Sequence, residues 1–285
     1  MTLAKWGRRR PNGGMRFAIC SEIFKEWAFD RTCDFVREAG YEAIEIAPFQ
    51  FKPLITDITA ADREYMRQTA EKAGLVISAV HWVLAYTEGF HVTHPDREVR
   101  VRTGEYLRAA VDLCADLGGK YVIFGSPKRR DLLPGVTREQ GGDWALESIA
   151  PAVERGADRG VTFCLEPLGP NESNFLNTAA EAIELVRRLP SPHFQIMLDV
   201  KAMSTEGKPI GDVIREASGS FKYLHVNDPN LKGPGFGAVD FVPIGKALRE
   251  VGYDGFASVE VFNFDEGPER IARESRENLR RDWGF

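Results

Sequence analysis

The stretch VTFCLE at 161–166 carries the fold: a short β-branched and aromatic run that ends on an acid. Three later stretches end in the same manner, FQIMLD on Asp199, FKYLH on His225 and FASVE on Glu260. The gaps between Glu166, Asp199, His225 and Glu260 are 33, 26 and 35 residues in turn. Each gap has room for one strand, one helix and two loops. Residues at this spacing meet only if successive parallel strands lie side by side with their C-terminal ends together. In a (β/α)8 barrel that rim is where active sites form. Three carboxylates and one imidazole are costly to desolvate together without a cation. The pattern therefore predicts a divalent metal site made of Glu166, Asp199, His225 and Glu260.

Outward from these stretches, strand and helix patterns alternate from Met15 to the end. Strands are expected at 16–20, 42–47, 76–82, 120–125, 161–167, 194–199, 221–227 and 256–262. Helices are expected at 28–39, 58–73, 97–117, 139–159, 178–188, 209–218, 241–251 and 267–281. In AGYEAIE, AGLVIS, GGKYVIF and RGVTFCLE a glycine stops a helix just before a strand. Asn177 and Asp240 are the expected helix caps of two later units. A doubly wound open sheet is the alternative, but no GxGxxG follows the first strand, and the acids cluster on strands five to eight. The loops 83–96 and 127–138 are long enough to wall a pocket on the C-terminal face.

The chain's 285 residues suit one barrel domain at 15–285, preceded by a flexible basic leader at 1–14. The leader holds three arginines with no apolar segment after them, so it does not read as a secretory signal. A net charge of −5 gives no reason to expect nucleic acid or membrane as a partner. No apolar stretch approaches the roughly 18 residues of a membrane span. Cys20, Cys33, Cys114 and Cys164 form no CxxC pair and read as reduced core thiols of a cytoplasmic protein.

Hard carboxylates with one imidazole suit Mn²⁺, with Mg²⁺ or Co²⁺ as alternatives, better than a cysteine-rich zinc site. Octahedral coordination would leave room for two substrate oxygens, as from a vicinal hydroxy-carbonyl. The cation would polarise the carbonyl and stabilise an enediolate. A ligating carboxylate beside the substrate can take the proton next to that carbonyl. The bland alternative is four capping or salt-bridged residues at strand ends.

Signals in the first half are weaker. Glu45, His81 and Ser126 lie near strand ends and are candidates for the pocket mouth, and His81 with Trp82 suits a sugar ring. His91 and His94 read as solvated or lid residues, and His193 has no assigned role. SPKRR at 126–130 is either a cationic cluster for phosphate or a solvated loop. GPGFG at 233–237 is expected to let backbone approach the ligand. Phe24 and Trp27 either wall the site or pack against the barrel end.

LEPLG, LDVKAM, LHVND, GPGFGAVDF and SVEVF, in this order and spacing, resemble the metal strands and flanking loops of the xylose-isomerase-like, or sugar phosphate isomerase/epimerase, superfamily. The resemblance runs from Met15 to near the end and is closest in site spacing to the ketose 3-epimerases. It implies that Glu166 and Glu260 act as acid and base on opposite faces of a sugar, and that Asp199 and His225 only ligate. It also implies that Glu172 contacts substrate. Two features of those epimerases are absent. Ala202 stands where they have a histidine three residues past the aspartate ligand, and Leu231 where they have an arginine six past the histidine ligand. Lys201, Asn227, Asp228 and Lys232 are the candidates for replacement substrate contacts. Endonuclease IV shares the fold, but Ala202 and the Phe241–Val242 pair after Asp240 remove ligands that its zinc cluster needs.

The expectation is a metal-dependent sugar isomerase or epimerase working through an enediolate. The rival is a lyase or hydratase that deprotonates a keto-sugar or 3-keto-glycoside and expels a β-leaving group. A partner subunit without catalysis, or a sugar-binding module, is the rival from another class. The expected ligand is a small sugar or keto-sugar. Related barrels are often dimers or tetramers, which leaves a homo-oligomer open.

Overall fold

In the computed structural model, which describes residues 14–284, eight parallel strands close into one barrel. The expected leader lies, but for Gly14, outside the described residues. In chain order the elements are β1 (Arg16–Cys20), α1 (Phe29–Glu38), β2 (Ala43–Ile46), α2 (Ala60–Ala73), β3 (Val76–Val80) and α3 (Arg97–Asp116). Then come β4 (Tyr121–Phe124), α4 (Arg138–Arg159), β5 (Thr162–Leu165), α5 (Ala179–Arg187), β6 (Phe194–Asp199) and the four-residue α6 (Val200–Met203). The chain finishes with α7 (Ile210–Glu216), β7 (Phe221–Val226), α8 (Phe241–Glu250), β8 (Phe256–Val259) and α9 (Pro268–Trp283). Each strand pairs with the next, and β8 returns to β1 with Ala18 opposite Ser258. The expected (β/α)8 architecture is therefore the observed one.

The differences from expectation concentrate at the rim. β3 and β8 stop at Val80 and Val259, just before His81 and Glu260, which line a cavity. The helix α6 was not expected, and Asp199 caps it by accepting from the Ala202 amide at 2.7 Å. Thr178, not Asn177, caps α5, accepting from the Glu181 amide. The Asn177 side chain instead donates to the carbonyls of Leu168 and Ser173. Asp240 does cap α8, and Gly74 and Gly160 end α2 and α4 at φ 80° and 65°. All four cysteines are buried and free.

Two apolar layers hold the barrel. Between strands and helices pack Phe17, Ile19, Ile44, Ile77, Leu165, Leu198, Leu224 and Val259 with the inner faces of the helices. Inside the barrel, one residue from each strand forms the floor: Ala18, Ala43, Ala79, Ile123, Cys164, Met197, Tyr223 and Phe256. Because side chains alternate along a strand, the residues two positions on point the same way. Those residues are Cys20, Glu45, His81, Gly125, Glu166, Asp199, His225 and Ser258. The layer above an apolar floor is thus almost wholly polar.

The loops after β3 and β4 wall this layer, and Arg130 fastens the second of them to the loop after β5. Its guanidinium is 1% exposed and donates to the carbonyls of Gly125, Glu166, Phe175 and Leu176. Burial holds its pKa down to about 10. The cation is a strut, so the expected SPKRR anion site loses one of its charges to the scaffold. His91 is likewise buried under its loop, with its backbone amide on Thr103 Oγ1. Phe24 packs against Trp27 and Phe35 at the barrel end. GPGFG lies against other protein parts: side chains at Gly233, Gly235 and Gly237 would meet Ser275, Asn278 and Asp228. No helix among the described residues is long and apolar enough to cross a membrane.

Removing the strut takes the charged donor from four buried carbonyls, of which Phe175 and Leu176 keep a second donor in Ser173 Oγ and the Leu168 amide, so Arg130→Met should lower unfolding free energy by about 3–5 kcal/mol. Urea denaturation followed by circular dichroism measures this. A loss below about 1 kcal/mol would show that the guanidinium is dispensable.

Candidate metal centre and active site

Glu166, Asp199, His225 and Glu260 converge at the top of the polar layer. Each offers a ligand atom, and these atoms all lie within 4.8 Å of one another. Asp199 and His225 are register partners on β6 and β7, and Ser258 on β8 is level with His225. Glu260 follows directly after β8, two residues past Ser258, and joins the group from there. Gly125 makes room on the opposite side: a side chain there would collide with Glu166 Oε2.

The His225 imidazole is held from below. His225 Nε2 donates to Glu45 Oε1 at 3.0 Å, so Nδ1 is the nitrogen that would ligate once a cation displaces its proton. That Nδ1 lies 3.1 Å from Glu260 Oε2 and 3.8 Å from Glu166 Oε1. Both His225 Nδ1 and Glu260 Oε2 are buried without a hydrogen-bond partner. Two orphaned ligand atoms side by side in a shell of carboxylates fit a bound cation. Asp199 keeps acceptor capacity too, since Asn227 Nδ2 and the Ala202 amide each use one oxygen.

Glu45 is the keystone beneath. It is fully buried and accepts from His225, from the Tyr223 hydroxyl at 2.9 Å and from Cys20 Sγ at 3.5 Å. Expected as a substrate contact, it has no path to the cavity and orients His225 instead. Burial opposes its charge, but His225 and His81 outweigh that and bring its pKa down to about 2. His225 shows the reverse: burial disfavours its cation, and Glu260 and Glu45 hold its pKa well above the usual value. Glu166 is pushed up to about 7, first by burial and then by Glu260. Asp199 is raised by burial as well. Acids outnumber bases here, and a divalent cation relieves that excess.

A cavity of about 460 Å³ opens over Glu166 and Glu260 of this group. Glu166, Glu260, His81, Trp82, Glu172, Lys201 and Phe262 line it, with residues 84–86 and 125–129 from the two long loops. Lys201 Nζ pairs with Glu172 Oε2 at 2.6 Å and lies over the Phe262 ring. Trp82 Nε1 donates to Glu260 Oε1 at 3.2 Å. Trp82, Tyr86 and Ser126 have φ of 53°, 58° and 45°, a left-handed conformation that costs about 1–3 kcal/mol each for such residues.

The remaining candidates fall outside the cavity. Asn227 is fully buried, bridging Asp199 and the Lys201 amide. Asp228 is 2% exposed and ties its own loop through the Val239 amide. Lys232 pairs with Glu266 at 2.7 Å. These three shape the rim, because their polar atoms are spent on neighbours. Sequence reading missed Glu22, which accepts from His81 Nε2 at 3.1 Å, and the Cys20–Tyr223–Ser258 shelf around Glu45. The period-two step from the floor residues would have found Cys20 and Ser258.

Glu45→Gln keeps the shape but weakens the lock on the His225 tautomer. Divalent-metal affinity should fall about 10–100-fold. Calorimetric titration of Mn²⁺ into wild type and variant measures this, and equal affinities would remove Glu45 from that role.

The fold and the sequence have relatives among known proteins. Residues 33–282 match the model of the xylose isomerase-like TIM barrel family. A D-psicose 3-epimerase of Ruminiclostridium cellulolyticum is 36% identical over 84% of this chain and 80% of its own length. An L-ribulose 3-epimerase of Mesorhizobium japonicum is 30% identical over 92% of this chain and 85% of its own. The crystal structure of a D-psicose 3-epimerase in the presence of D-fructose superposes with a TM-score of 0.83 at 21% identity, covering 95% of this chain and 100% of that one. By sequence over most of its length, this chain belongs to the xylose isomerase-like TIM barrel family.

Proposed function

We propose that the chain is a sugar isomerase or epimerase that abstracts the proton next to a substrate carbonyl and returns one through an enediolate. The observation that carries this is the placement of Glu166 and Glu260. Both line the cavity, and both present an oxygen to His225 Nδ1. Relatives that match over most of the chain are named D-psicose and L-ribulose 3-epimerases, which supports a small ketose as the substrate class.

Glu166, Asp199, His225 and Glu260 would hold one divalent cation, Mn²⁺ by the hardness of the donor set, with Mg²⁺ or Co²⁺ as substitutes. When bound, that ion polarises the carbonyl and so acidifies the neighbouring C–H. Glu260 removes or returns the proton on one face, with its Oε1 fixed by the Trp82 indole. Glu166 does so on the other face. Trp82 and Phe262 offer apolar walls to the carbon skeleton, while Lys201, Glu172 and His81 reach its oxygens. The burial of both carboxylates keeps bulk water away from the transferred proton.

Elimination from a keto-sugar by the same deprotonation is the competing reading. It draws on the sequence, where Ala202 and Leu231 stand in place of the histidine and arginine expected of a ketose 3-epimerase, and product analysis separates the two.

Glu260→Gln should lower turnover about 10³-fold while metal and sugar binding largely survive. Assay of a ketose panel with manganese-loaded protein, alongside metal content per chain, tests this. Wild-type turnover in the variant would remove Glu260 as the base. A chelator should abolish activity and Mn²⁺ restore it.

A further inference from the structure

We propose that the aromatic wall at the cavity mouth, built by Trp82, Tyr86 and Phe49, is a subsite for a second ring carried by the reacting sugar. That ring is a glycosidic sugar or an aromatic aglycone. The inference rests on the reaction assigned above and names a substrate class for it.

The inner cavity is complete without Tyr86. Glu166 and Glu260 stand at its base, the Lys201–Glu172 pair at one side, and Trp82 and Phe262 along the wall. Tyr86 continues that wall outward. Its ring stacks on Trp82 with centroids 6.1 Å apart and planes 20° apart, and Phe49 props it edge-on at 5.0 Å. Phe49 also braces Trp82 at 5.6 Å. Trp82 is itself tethered to Glu260, so the platform begins at the base and ends at the mouth.

Tyr86 is nevertheless 76% exposed, and its hydroxyl has no hydrogen-bond partner among the described residues. Both Trp82 and Tyr86 hold left-handed backbone to present these faces. An exposed, propped aromatic ring beside a polar cavity suits the apolar C–H face of a pyranose or a flat aglycone. Ser126, Pro127 and Lys128 also line the cavity; the Ser126 hydroxyl accepts from the Leu84 amide at 3.3 Å, and Lys128 adds an ammonium. A free hexose bound at Glu166 and Glu260 would leave this outer platform in water. A substrate one ring longer would cover it.

The test compares substrates that differ only by the outer ring. One pair is D-fructose and isomaltulose, which adds a glucosyl ring to the terminal hydroxyl. The other is methyl and phenyl 3-keto-β-glucoside. In wild type loaded with Mn²⁺, at least one ring-bearing member should have a kcat/KM about tenfold above its partner. In Tyr86→Ala that ratio should fall to near unity, and Tyr86→Phe should restore most of it. A ratio near unity in wild type for both pairs, or one unchanged in Tyr86→Ala, overturns the subsite. If Tyr86→Ala instead lowers the molar mass in light scattering and keeps the ratio, Tyr86 is a contact between copies and the subsite is refuted. If no sugar of either pair reacts, the assigned reaction fails. The subsite is then judged by calorimetry with phenyl and methyl β-glucoside. Tighter phenyl binding in wild type but not in Tyr86→Ala sustains it, and equal affinities overturn it.

Discussion

Each strand of a closed barrel turns every second side chain inward, and all else at this site depends on that alternation. The floor from Ala18 to Phe256 is small or apolar and shuts the barrel's lower half to water. Two residues along each strand the same geometry turns Cys20, Glu45, His81, Glu166, Asp199, His225 and Ser258 to the inner face above their own strand's floor residue. A shift of one residue on β7 would bury Leu224 in the site and turn His225 into the helix layer. The parallel register, with Asp199 opposite His225, therefore fixes ligand geometry before any hydrogen bond acts.

Hydrogen bonds then refine what the register places. Glu45 under His225, Trp82 on Glu260 and Asn227 on Asp199 each touch one of the four converging residues. Arg130 does comparable work on the backbone, joining the carbonyl of Glu166 to the loops beyond β4 and β5. The scaffold thus spends buried charge both below and beside the cavity. That spending makes sense only if the cavity's own residues must stay within tenths of an ångström of their positions.

The barrel and its four converging residues were legible because strand length and helix length repeat, and because an acid or histidine at a strand end breaks an apolar run visibly. What was not legible depends on loop geometry. Asn227, Asp228 and Lys232 share the rim segment of β7 with the site in sequence, but backbone direction past Val226 turns their polar atoms to neighbours. Glu45 was seen as polar and near a strand end, yet its depth follows from level with Cys20 on β1, which needs the register. Arg130 looked like one more surface cation of SPKRR. Only the folded loop shows four carbonyls around it.

The account stands on proton abstraction next to a carbonyl. The most direct measurement is proton NMR of ketoses in D₂O with manganese-loaded protein, after the paramagnetic ion is removed. Deuterium appearing beside the carbonyl, together with an epimer or isomer, is the predicted result. A protein that binds the metal and yet exchanges no proton in any ketose, aldose or keto-glycoside would contradict the account.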